Sequence, residues 1–155
     1  MASSLIDVEY NYKTICENIA KASQRCNKSE SDITLLAATK TVDIDTINYA
    51  IEKGIKYIGE NEVQELLLKD DSISGAHRHF IGHLQTNKIK YIAPFVHLIE
   101  SLDSERLAAA IDREAAKCGR TIDCLLEIHV TDEESKSGWE WSELKAFVEA
   151  GGFQH

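Results

Sequence analysis

The chain has 155 residues, 43% of them hydrophobic, and a formal net charge of -9. This length suits one domain with a hydrophobic core. The negative charge argues against nucleic acid or an anionic membrane as the main partner, and no stretch approaches the ~20 apolar residues that span a bilayer. The start has no basic region before an apolar core, so no secretory signal is predicted. The four cysteines lack CxxC spacing, which favours reduced thiols in a cytoplasmic protein.

The chain begins with a predicted helix and then alternates between strands and helices. One apolar stripe with steps of three and four residues marks the first helix: Leu5, Val8, Tyr12, Ile15 and Ile19. Five strands follow, with predicted ends near Lys40, Asn61, His83, Ser101 and Val130. A single amphipathic helix lies between each pair of strands, and a sixth helix follows the last strand.

Caps and apolar positions predict where the later helices lie. The second helix begins near Asp43 or Asp45 and ends at Gly54, and the fourth runs from about Thr86 to just before Pro94. The fifth ends at Gly119. The predicted inward residues are Ile44, Ile47 and Ile51 in the second helix, Val63, Leu66 and Leu67 in the third, Ile89 and Ile92 in the fourth, Leu107, Ile111, Ala115 and Cys118 in the fifth, and Leu144, Phe147 and Val148 in the sixth.

This alternation predicts an α/β fold with about five parallel β-α units and right-handed crossovers. No linker or low-complexity segment divides the chain, so residues 1–155 are expected to form a single domain. Two architectures fit: an open doubly wound sheet, or part of a (β/α)8 TIM-type barrel. A complete barrel takes ~250 residues, so the chain would supply about two-thirds of one.

Lys40 is the first candidate for chemistry. It ends the apolar run 33–40, which reads as a buried strand. In α/β proteins the carboxyl ends of strands collect ligands and catalytic groups, and a lysine there can form a Schiff base with a carbonyl. Leu36, Ala38 and Lys40 share one strand face, and the small Ala38 leaves room beside the amine. The alternative is a lysine that extends from the strand end into solvent.

Other polar residues follow the later strands. Asn61 is a candidate ligand contact because, like Lys40, it is not an obvious helix cap, whereas Ser101 and Asp103 fit capping roles. His83 is a candidate because it lies at a strand end. His77, His79 and His83 share a strand face, but His77 and His83 would be ~20 Å apart, so a shared metal ion is not expected. Residues 136–138 read as a solvated loop, with the alternative that Lys136 reaches back over the site.

Four segments resemble the pyridoxal phosphate homeostasis protein family, which is related in fold to the N-terminal barrel of alanine racemase. They are residues 35–41 (LLAATKT), 58–65 (IGENEVQE), 79–88 (HFIGHLQTNK) and 134–138 (ESKSG). They occur in the family order and span nearly the whole chain. The combination is specific, although no single segment would be.

The resemblance implies that Lys40 holds pyridoxal 5′-phosphate as a Schiff base, with Asn61 and His83 lining the same pocket. It implies a cytoplasmic, non-catalytic carrier involved in intracellular cofactor homeostasis, from a family that is often monomeric. Its partner would be the small-molecule cofactor, with no nucleic acid, membrane or metal.

The chain departs from the family pattern at its C-terminus. It stops at His155, before the serine-bearing motif and the Arg-Ile-Gly segment with which the family holds the phosphate. We therefore expect a C-terminally truncated barrel that lacks its last strands, binds the cofactor weakly and tends to self-associate. Two alternatives stay open: a racemase-like enzyme that acts on amino acids through Lys40, which would need a second acid or base, and a remnant that binds no cofactor.

Overall fold

The computed structural model describes residues 2–130 and 137–151, with side chains from residue 7 onward. The strands are β1 (Leu36–Ala38), β2 (Tyr57–Glu60), β3 (His77–Phe80), β4 (Leu98–Leu102) and β5 (Asp123–Leu126). The helices are α1 (Ala2–Arg25), α2 (Ile44–Glu52), α3 (Val63–Asp70), α4 (Ile89–Ile92), α5 (Glu105–Cys118) and α6 (Trp141–Glu149). Short 3-10 turns cover Glu30–Asp32 and Thr86–Lys88.

The five strands form one parallel sheet in the order β1-β2-β3-β4-β5. A doubly wound sheet reverses its strand order at a switch point, whereas a barrel adds each strand beside the previous one. The consecutive order is therefore that of a barrel segment. The predicted α/β fold, with five parallel β-α units after an N-terminal helix, is confirmed.

The strand register divides the side chains between two faces. Partners in register lie side by side on the same face, and successive residues alternate between faces. One row runs across all five strands on the face that a barrel would enclose, here called the inner face: Ala38, Gly59, His79, Leu98 and Asp123. The neighbouring row on the opposite face, which packs against the helices, contains Glu60, Phe80, Ile99 and Cys124.

The hydrophobic core lies between the sheet and the helices. Phe80 and Ile99 belong to a large cluster that α3, α4 and α5 complete, and Ile58 belongs to a second cluster with Ile47 of α2. These side chains are at most 2% exposed. Such burial stabilises a domain by about 2 kcal/mol per large apolar side chain.

Local signals placed several helix ends correctly. Asp43 caps α2, because its Oδ1 accepts a hydrogen bond of 2.9 Å from the backbone N–H of Thr46. Gly119 ends α5 in the left-handed conformation with φ 62°. The fourth helix is shorter than predicted, since the segment 86–88 forms a 3-10 turn and only Ile89–Ile92 is α-helical.

Some predicted inward positions were wrong. Leu67 is 39% exposed, and Lys69 takes the core-facing position of α3 instead. Cys118 is exposed at the end of α5, and Val148 is 56% exposed on α6. In each helix, fewer of the apolar residues are buried than the apolar pattern predicts.

The remaining features of the fold are the two tryptophans, the cysteines and the absence of a membrane-spanning helix in the described residues. Trp139 is buried and donates its Nε1–H to the carbonyl of Leu102 at 2.8 Å, whereas Trp141 is largely exposed. The four cysteines are free thiols, and burial raises the pKa of Cys124 to about 11. Within the described ranges no helix is long and apolar enough to cross a membrane.

The turn after β3 packs directly on the backbone that follows β2. A Cβ atom at Gly82 would lie 2.3 Å from the carbonyl oxygen of Asn61 and 2.7 Å from its Cα. At Gly59, by contrast, a Cβ would meet only the side-chain ends of Leu36 and Ile81, at 2.9 Å. Backbone atoms cannot move aside as side-chain ends can, so Gly82 is required for this approach.

We expect Gly82→Ala to lower the free energy of unfolding by about 2 kcal/mol, because the methyl group forces the two backbone segments apart. Gly59→Ala is the matched control and should change it by less than about 1 kcal/mol, since side-chain rotation relieves its contacts. Urea unfolding of both variants measures the difference. Equal stabilities would contradict the close approach of Gly82 to Asn61.

Candidate functional site

The three predicted site residues all lie at the carboxyl ends of neighbouring strands. Lys40 is exposed two residues beyond Ala38, Asn61 is half-buried directly after β2, and His83 is exposed three residues beyond β3. Ala38 and Gly59 are partners in register on the inner face. Lys40 and Asn61 each follow this pair by two residues, so they lie at the same level of two adjacent strand ends, Lys40 within the turn that the N–H of Val42 closes on the carbonyl oxygen of Thr39 at 3.0 Å.

A cleft of about 310 Å³ brings Asn61 and His83 together. Its walls include Gly82 and Lys88, and the Nζ of Lys88 donates a hydrogen bond of 3.1 Å to Oε1 of Gln64. Lys40 does not line this cleft. The geometry therefore groups Asn61 with His83, and it assigns Lys40 to the adjacent strand end.

His83 is held by an acidic partner. Its Nδ1 lies 3.3 Å from Oδ2 of Asp103, and the other oxygen of Asp103 accepts a hydrogen bond of 2.8 Å from the hydroxyl of Ser104. Asp103 is mostly buried, whereas the imidazole is 64% exposed. An Nδ1–H directed at a carboxylate leaves Nε2 available for a ligand. The prediction that Asp103 caps the following helix was wrong, because the N-cap of α5 is Ser104, whose Oγ accepts the N–H of Leu107 at 3.3 Å; Asp103 instead lies beside His83.

The residues on either side of Lys40 are fixed on the helix side of the sheet. Thr39 is buried, and its hydroxyl donates a hydrogen bond of 2.7 Å to Oε1 of Glu60. The backbone N–H of Thr41 donates to Oε1 of Glu65 at 2.6 Å. Thr41 has φ 62°, a left-handed value that is rare for a β-branched residue.

Lys69 joins these contacts into one network. Its Nζ donates to the carbonyl oxygen of Thr39, to Glu60 and to Glu65, at 2.7–2.8 Å. Burial by itself lowers the pKa of Lys69, but the hydrogen bonds to Glu60 and Glu65 outweigh burial, so the pKa is raised. The pKa of Glu65 is lowered, first by Lys69 and then by the N–H of Thr41. Lys69 and Glu65 therefore stay charged at neutral pH.

Sequence reasoning missed Lys69, although a signal was present. The buried residues of α3 are Val63, Leu66 and Lys69, at steps of three. A lysine that continues an apolar stripe, four residues after a glutamate, predicts a buried ion pair. We instead assigned Leu67 to that face.

Three other histidines, His77, His79 and His97, form a separate group around Tyr57. His79 is buried, and its Nδ1 lies 2.6 Å from Oε1 of Glu100. The ring of His77 stacks on Tyr57 with centroids 5.2 Å apart and meets His97 edge to face. In residues 2–130 and 137–151, no three potential metal ligands are grouped to hold an ion. Burial, followed by the charges of nearby basic groups, lowers the pKa of His97.

Two further predicted positions differ in outcome. Ser101 lies inside β4 and is buried, so it is not a strand-end residue, because β4 extends to Leu102. Lys136 lies outside the described residues.

The sequence and the fold match known proteins. A family model described as alanine racemase, N-terminal domain, matches residues 10–153. A pyridoxal phosphate homeostasis protein from Aquifex aeolicus is 42% identical over 137 residues, which are 87% of this chain and 60% of the relative. The chain thus spans about three-fifths of the length of that relative.

Two solved structures share the fold and have sequence identities of 32% and 30% to this chain. A crystal structure of an unknown protein from Bifidobacterium adolescentis has a TM-score of 0.89 and 32% identity, covering 99% of this chain and 69% of that one. PipY of Synechococcus elongatus, solved with pyridoxal phosphate bound, has a TM-score of 0.71 and 30% identity, covering 85% of this chain and 63% of that one. The resemblance proposed from the four sequence segments is confirmed, and the chain belongs to the alanine racemase N-terminal domain family.

Proposed function

We propose that this chain is a cytoplasmic, non-catalytic protein of pyridoxal 5′-phosphate homeostasis, and that it binds the cofactor through Lys40, with Asn61 and His83 as further contacts. The observation that carries the proposal is the exposed Lys40 at the carboxyl end of a barrel strand, next to the strand end that carries Asn61. PipY, which shares 30% identity, binds pyridoxal phosphate, and this supports the same cofactor here.

The chemistry of the described residues fits this cofactor. Pyridoxal 5′-phosphate supplies an aldehyde, which condenses with a lysine amine to a Schiff base. Lys40 offers that amine, Asn61 an amide and His83 an imidazole whose Nδ1 is directed at Asp103. The small residues Ala38 and Gly59, which are partners in register, precede Lys40 and Asn61 by two positions each.

The alternative is a racemase-like enzyme. Such an enzyme needs a second acid or base in addition to the lysine. The imidazole of His83, with its partner Asp103, is the group near the strand ends that favours this alternative. The relatives are named homeostasis proteins, which supports the non-catalytic reading. An amino-acid racemisation assay on cofactor-loaded protein separates the two: turnover that His83→Ala abolishes would support the enzyme.

We expect pyridoxal phosphate followed by borohydride to label one site, Lys40, because its amine is exposed at the proposed site. Mass spectrometry of peptides locates the adduct. Lys40→Ala should lose it, whereas Lys56→Ala should keep it, since Lys56 is exposed next to the opposite end of β2. Labelling spread evenly over exposed lysines would contradict binding through Lys40.

Asn61→Ala and His83→Ala should each weaken the affinity for pyridoxal phosphate about five- to tenfold, the effect of losing a hydrogen bond of about 1 kcal/mol. Asn87→Ala is the matched control, because Asn87 is exposed on the turn that follows His83. Absorbance titration of the cofactor measures the affinities. If both site variants bind as tightly as the control, the cofactor does not contact this edge.

A further inference from the structure

Lys69 is a buried ammonium in a helix that otherwise packs through apolar side chains. The residue is 8% exposed, and its Nζ donates three hydrogen bonds, all of 2.7–2.8 Å. Burying a charge in this way is unfavourable unless partners compensate, and an apolar residue of similar size is often as stable. Core packing alone therefore does not account for a lysine here.

The partners of Lys69 converge on the two residues that flank Lys40. Lys69 itself donates to the carbonyl oxygen of Thr39. Thr39 is further tied to β2, because its N–H donates to the carbonyl oxygen of Gly59 at 2.9 Å. Glu65, which Lys69 holds at 2.7 Å, accepts the N–H of Thr41 at 2.6 Å. The backbone is thus fixed immediately before and immediately after Lys40.

The second of these contacts stabilises an unfavourable conformation. Thr41 has φ 62°, where its branched side chain is crowded by the backbone. Glycine adopts such angles as readily as negative ones. Two hydrogen bonds hold the residue in this conformation: the turn bond from the N–H of Val42 to the carbonyl oxygen of Thr39 at 3.0 Å, and the bond from the N–H of Thr41 to Glu65, which Lys69 orients.

Lys69 does not contact Lys40 in this network. Thr39 lies on the helix side, against Glu60 and Lys69, and Lys40 is the next residue, in the turn that the N–H of Val42 closes on the carbonyl oxygen of Thr39 at 3.0 Å. Lys69 therefore affects Lys40 indirectly, through the backbone of residues 39–41.

On the premise that Lys40 is the cofactor-binding lysine, as proposed above, we propose that Lys69 is a positioning residue for it. Through Thr39 and Glu65, Lys69 keeps the segment 39–41 in the one conformation that presents Lys40 at the carboxyl end of β1. Its role is to raise the affinity of Lys40 for pyridoxal phosphate, beyond what it contributes to stability.

The test uses Lys69→Met, which keeps the length of the side chain and removes the charge. We expect the amide of Thr41 to exchange hydrogen about tenfold faster, since Glu65 is no longer held. We also expect the affinity for pyridoxal phosphate at Lys40 to fall about tenfold. Lys145→Met, on exposed residue Lys145 of α6, is the control and should change neither.

A second substitution distinguishes positioning from general destabilisation. In the Lys69→Met background, Thr41→Gly should recover most of the lost affinity, because glycine adopts the required φ without strain. Thr121→Gly, at an exposed position outside the helices and strands, should not recover it. If Lys69→Met proves too unstable to fold, Glu65→Ala releases Thr41 while leaving Lys69 paired with Glu60, and it should show the same loss and the same recovery.

The outcomes separate the two proposals. If wild-type protein is not labelled at Lys40, the proposed function fails, and with it the role of Lys69 toward the cofactor. If wild-type is labelled, and Lys69→Met lowers only the unfolding midpoint while Thr41 exchange and affinity stay unchanged, Lys69 is merely structural and the positioning role is overturned. Loss of affinity that Thr41→Gly restores supports it.

Discussion

The parallel register of the strands is the constraint on which the rest of the structure depends. Because partners in register share a face, the row that contains Glu60, Phe80 and Ile99 packs against the helices. The row that contains Ala38 and Gly59 is left for the inner face. A shift of one residue in any strand would exchange these faces, moving core residues to the inner side and polar ones into the core.

Polar side chains are stabilised differently on the two faces of the sheet, because the two faces differ in burial. On the helix side, Glu60 is 1% exposed and Lys69 is 8% exposed, so each charge needs a partner within hydrogen-bond distance. On the inner face, His79 is paired with Glu100. Lys40 and His83 lie at the rim, where both stay exposed. Reactive groups at the rim can therefore meet a ligand, while the buried network maintains the backbone that carries them.

Local signals predicted the order of elements and several of their ends. Asp43 and Gly119 act through bonds or angles within one turn of their own helix, so a single sequence reveals them. Lys40 and Asn61 were found as candidates because strand ends are visible in the apolar pattern. These features need no knowledge of which strands pair.

The features that were missed depend on contacts between distant parts of the chain. Lys69 contacts Thr39, thirty residues earlier, and Gly82 approaches the backbone of Asn61 on the neighbouring strand. Leu67 was assigned to the core because leucine is apolar, whereas the position of β2 relative to α3 favours Lys69 there. Such contacts can be predicted only when the strand register is known, because the register determines which residues of two strands and a helix are in contact.

The same register argues that Lys40 and Asn61 can contact one ligand, even though the cleft is lined by Asn61 and His83 and not by Lys40. Neighbouring strands lie about 4.8 Å apart, a spacing that a group the size of a single aromatic ring can bridge. Lys40 and Asn61 both follow the paired residues Ala38 and Gly59 by two positions. The contacts of Thr39 and Thr41 oppose rotation of the Lys40 backbone. Because the segment 39–41 is held in this way, a lysine outside the cleft can serve as a partner for a ligand bound at the edge of the cleft.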